Sequence, residues 1–123
     1  MKAKWGYTKN KQELKRLYLS ILPTIREVAR KSGYAIGVHG SLTRDMDLIA
    51  VPWIEKPLKP ATLVQRIELA VCQYPRKSHF HWKTIRKSIV KKPHGRIGIC
   101  IYVGRHAYID LSITALMGTN DPR

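Results

Sequence analysis

The chain has 123 residues, of which 44% are hydrophobic and 25% charged, and its 23 Lys and Arg against 8 Asp and Glu give a formal net charge of +15. That length suits one domain, residues 1–123, burying roughly two thirds of its unfolded surface, and the hydrophobic content excludes an intrinsically disordered chain. No apolar run approaches the ~20 residues of a membrane span and the opening MKAKWGYTKNKQELKR lacks a signal-peptide core, so a cytosolic protein with no membrane partner is expected; the positive field favours polyanions such as RNA, DNA or nucleoside triphosphates.

In NKQELKRLYLSILPTIREVARKSG the apolar residues Leu14, Leu17, Tyr18, Ile21, Ile25 and Val28 recur at steps of three and four, predicting a helix with Asn10 as its cap and Gly33 at its end. Pro23 lacks an amide proton and should kink that helix or start a second one. YAIGVHG then reads as a buried strand, Gly40-Ser41 as punctuation, and MDLIAVPW as a second strand closed by Pro52. A helix is predicted over 60–73, with Pro60 in its first turn and a stripe of Leu63, Ile67, Ala70 and Val71. Residues 76–96 mix positive charge with apolar side chains too irregularly to assign. RIGICIYV and AYIDLSI are strands joined through Gly104-Arg105-His106 as a hairpin with glycine in the turn. Cys72 and Cys100 have no CxxC partner and are expected to be buried, reduced thiols.

Two acids head an otherwise apolar strand. Side chains alternate along a strand, so Asp45 and Asp47 point the same way, with backbone positions ~6.6 Å apart. Asp110 lies between Ile109 and Leu111, which should face the core and leave it on the opposite surface. Carboxylates gathered in this way repel one another unless a cation lies between them. Mg²⁺ suits such hard oxygen donors, because it takes few of them from the protein and the rest from water and substrate phosphates. Ordinary ion pairs with Arg44 or Lys87 are the competing explanation.

Gly40-Ser41, Asp45-Met46-Asp47 and a distal Asp110 together resemble the motif set of the DNA polymerase beta-like nucleotidyltransferase superfamily, and RDMDLIAVPW, PHGR and YIDLS resemble its short phage-encoded members. The likeness spans residues 34–113. It implies an α/β (α+β) fold, a small mixed or antiparallel sheet with helices packed on one face. It also implies nucleotidyl transfer from an NTP to a hydroxyl, with Asp45, Asp47 and Asp110 as catalytic residues and as ligands of Mg²⁺ or Mn²⁺, in the host cytosol if the chain is phage-encoded. Gly40 and Ser41 would approach the triphosphate. Only Leu42-Thr43-Arg44 separate Gly-Ser from Asp-x-Asp, where family members carry a longer stretch; three residues form a turn, so Arg44 or the basic segment must take over phosphate binding.

His94 and Arg96, beside Gly95, are further candidates for nucleotide or acceptor contact, and His39 adjoins the same face. Trp82, Lys83, Arg86, Lys87, Lys91 and Lys92 combine an aromatic with positive charge, as single-stranded nucleic-acid binding requires. His79 and His81 match no common zinc spacing. The charge favours RNA, such as a tRNA end, as acceptor. Two other classes use the same residues: a non-catalytic module that binds nucleic acid or a host protein, and a metal-dependent nuclease.

Overall fold

The computed structural model describes residues 10–73, 75, 85 and 87–114. Helix α1 (Lys11–Lys31) starts where the Asn10 side chain accepts the Glu13 amide, at 3.0 Å. Its buried residues Leu14, Tyr18, Ile25 and Ala29 form one stripe at helical spacing. Of the two outcomes expected at Pro23, the start of a second helix does not occur: α1 runs through Pro23 as one element. Pro23 lies on the exposed side, as does Leu19, whose carbonyl finds no helical N–H at Pro23. Gly33 ends the helix at φ +95, as predicted. A Cβ at Gly33 would also stand 2.8 Å from the Pro57 Cα, so the chain reverses in space that only glycine leaves open.

Strand β1 (Tyr34–His39) pairs antiparallel with β2 (Asp45–Pro52). Helix α2 (Pro60–Val71) begins with Pro60 in its first turn and buries Ala61, Leu63, Val64, Ile67 and Glu68. Ala70, expected in that stripe, is exposed, and Val71 is half-buried. The short strand β3 (Val90–Lys91) pairs with β4 (Arg96–Gly104), and β4 forms a hairpin with β5 (Ala107–Thr114). Its two central residues, Arg105 and His106, both have positive φ (56 and 62), the mirror-image turn that matches strand twist. Glycine therefore flanks the turn instead of occupying it: Gly104, at φ +119, pairs with Ala107 across an irregular register.

The sheet order is β1-β2-β5-β4-β3, with β2 and β5 parallel and the other pairs antiparallel. This is the expected α+β architecture, a mixed sheet with its helices on one face. Alternate residues Met46, Leu48 and Ala50, Ile97, Ile99 and Ile101, and Ile109, Leu111 and Ile113 are buried towards α1 and α2. The opposite face carries the polar residues between them. Among the described residues, no helix is long and apolar enough to cross a membrane.

Candidate active site

The open face of the sheet brings the three acids together. Asp47 on β2 is the register partner of Asp110 on β5, and Asp45 lies two residues back on β2, opposite Tyr108. The alternation that buries Met46, Leu48, Ile109 and Leu111 turns all three carboxylates to the same side. Across the strands the row extends further: His39 partners Asp47, and Cys100 partners Asp110. Thus β1, β2, β5 and β4 place imidazole, two carboxylates and a thiol side by side.

Neither the Arg44 nor the Lys87 ion pair that sequence reasoning admitted is present. Among the described residues, Glu27 pairs with Arg30 and Lys31, while Asp45, Asp47 and Asp110 take part in no ion pair. The carboxylates share a neighbourhood without closing into a cage; among the described residues no three His, Cys, Asp or Glu side chains converge on one metal position. Their chemistry suits a hard divalent ion that draws most of its ligands from water and phosphate. Gly40, at φ +87, leaves room for this: a Cβ there would meet the Asp47 Oδ2 at 3.0 Å.

The loop between Gly40 and Asp45 holds no helix, as its length predicts. Leu42 adopts φ 62 and is buried, pinning the loop to the core. The Ser41 and Thr43 hydroxyls are hydrogen-bonded to each other at 2.6 Å. The Arg44 side chain is exposed, but its carbonyl is anchored. Tyr18, fully buried on α1, donates its hydroxyl to that carbonyl and accepts the Tyr108 amide at 3.0 Å. One hydroxyl thereby joins the residue before Asp45 to the residue opposite it. Because Tyr18 and Tyr108 are 90 positions apart, no local pattern signals this contact.

The remaining candidates lie at different distances. His94, at φ 66 in the 3-10 turn Pro93–Gly95, and the half-buried Arg96 sit at the start of β4. Arg96 is four residues from Cys100, ~13 Å along the strand, so the fold does not set it beside the acids. Lys87 and Lys91 are exposed, Lys91 on the edge strand β3. Lys92 reaches closer: its Cε is 2.6 Å and its Nζ 3.6 Å from where a Cβ on Gly98 would stand. Gly98 belongs to the ladder row next to Cys100 and Asp110, on the open face. A glycine inside a strand is the sequence signal for such a close approach. Trp82, Lys83, Arg86, His79 and His81 lie outside the described residues.

The two cysteines form no disulfide with each other, as expected, but they are not buried: Cys72 is half-buried and Cys100 exposed. Loss of water around its sulfur, then the negative charges of Asp110 and Asp45, hold the Cys100 thiol above its ordinary pKa. Both acids are therefore close enough to be felt at one sulfur. Iodoacetamide, which attacks the thiolate, is expected to modify Cys100 more slowly at neutral pH than an ordinary exposed thiol. Asp110→Asn should speed that reaction several-fold, read from the mass of the modified peptide; equal rates would place Asp110 away from the sulfur. Comparison with known proteins adds no relative, since no family model, curated protein or solved structure matches the chain.

Proposed function

We propose that the chain is an Mg²⁺-dependent nucleotidyltransferase that moves a nucleoside monophosphate from an NTP to a hydroxyl, with RNA as the favoured acceptor class. The observation that carries this reading is the register pairing of Asp47 with Asp110, with Asp45 on the same open face and none of the three neutralised by a protein cation among the described residues. In the reaction the acceptor oxygen bonds to the α-phosphorus, the bond from that phosphorus to the bridging oxygen breaks, and pyrophosphate leaves. Asp110 takes the proton of the acceptor hydroxyl. Asp45 and Asp47, with Asp110 completing the site, would hold Mg²⁺ or Mn²⁺, which when bound offsets charge on the attacking and leaving oxygens. Gly40 lets the triphosphate approach the backbone, while Arg44 and Lys92 supply positive charge along its path. His94 and Arg96 stand at the far end of β4, placed for a long acceptor instead of the triphosphate.

The test incubates the protein with each NTP labelled at the α-phosphate, Mg²⁺, and total cellular RNA and protein. Label is expected in the RNA fraction for at least one nucleotide. Its absence for all four would overturn the transferase reading. Shortened RNA without label would indicate a nuclease, and RNA binding that tolerates Asp47→Asn but fails on neutralising Lys87, Lys91 and Lys92 would indicate a binding module.

A further inference from the structure

A second feature lies away from the acids. Arg26 and Arg30 on α1, with Tyr34, Ala35 and Ile36 of β1 and Trp53 just beyond β2, line a groove of about 400 Å³ at the outer edge of the sheet. We propose that this groove binds single-stranded nucleic acid, with a base stacked on Trp53 and phosphates set against Arg26 and Arg30.

The parts are held for that purpose. Trp53 is 57% exposed, yet its backbone is fixed by the hydrogen bond that its N–H donates to the Gly33 carbonyl at 3.0 Å. An indole left so open on a fixed backbone is a stacking platform that accepts any base. Arg26 and Arg30 are one helical turn apart, so both project to the same side. Arg26 donates from Nη1 to the Ile36 carbonyl at 2.6 Å, which seats its guanidinium at the β1 edge. Arg30 is oriented by two bonds to Glu27, which does not line the groove. The floor includes the ring of Tyr34, whose hydroxyl is turned away to the Leu58 carbonyl and is pushed up to about 12 by burial. An apolar floor rimmed by arginines, with no acid among the described lining residues and a chain charge of +15, is complementary to a polyanion that carries aromatic bases.

Binding of a fluorescein-labelled single-stranded RNA of mixed sequence, and of the matching DNA, tests this by anisotropy without NTP or Mg²⁺, so that the outcome does not depend on the transfer reaction. Trp53→Ala is expected to weaken binding about 5- to 150-fold, and Trp53→Phe to keep most of it. Arg30→Gln should reduce the salt dependence of binding by about one released counterion. Equal losses for RNA and DNA support stacking on the shared chemistry; a loss confined to RNA supports added recognition of the ribose hydroxyl. If Trp53→Ala and Arg30→Gln, each shown folded by thermal melting, bind both oligonucleotides as the wild type does, the proposal is overturned.

Discussion

Asp110→Asn is expected to lower nucleotidyl transfer by on the order of 10²–10³, the scale of removing one preorganised electrostatic group, while leaving the metal-free protein as stable as the wild type or more so. The two halves of this result have one cause. Asp47 and Asp110 face each other across a parallel ladder, and like charges in cross-strand contact destabilise a sheet by up to ~1 kcal/mol. Replacing one by its neutral isostere relieves that repulsion and removes a donor from the proposed metal site together. A carboxylate kept for structure would behave the other way, because its loss would cost stability. Paired measurements of label transfer and thermal midpoint separate the cases. A drop in midpoint with activity retained would assign Asp110 to the fold alone.

Tyr18→Phe should carry the second large effect. It keeps the ring that fills the core and deletes only the hydroxyl that joins the Arg44 carbonyl to the Tyr108 amide. Both groups then lose a partner in a part-buried setting, at a cost of ~1–3 kcal/mol. They flank the starts of the two strands that carry the acids, so the substitution also loosens the spacing of Asp45 relative to Asp110. Tyr34→Phe is the control. It removes a comparable hydroxyl bond, from Tyr34 to the Leu58 carbonyl, at the opposite end of β1 from His39. Both variants should melt earlier than the wild type, but only Tyr18→Phe should lose transfer. Equal losses of activity, or none, would make Tyr18 an ordinary core residue.

Much of the arrangement is readable from strand alternation. Ile109, Leu111 and Ile113 fix which way Asp110 points, and Met46 and Leu48 do the same for the other two acids. The same rule applied to Ile97, Ile99 and Ile101 turns Cys100 outward, so its exposure was available from the pattern although free cysteines are usually buried. Pro23 starts no second helix, because a proline on the exposed side of α1 removes one helical bond without disturbing the buried stripe. Ala70 misled because α2 buries Ala61, Val64 and Glu68, which shifts the stripe around the helix. The pairing of β2 with β5 cannot be read from either strand: nothing in MDLIAVP or YIDLS states that residues 45–50 and 108–113 align in parallel. Tyr18 is hidden for the same reason, since its partners are set by tertiary contact and not by sequence neighbourhood.

The most direct measurement of the central claim is calorimetric titration of Mg²⁺, with a non-hydrolysable NTP analogue present, into the wild type, Asp47→Asn and Asp110→Asn. Saturable binding by the wild type that is lost or strongly weakened in both variants is the predicted result. No binding by the wild type, or undiminished binding by variants that remain folded, would contradict a metal site built from these carboxylates.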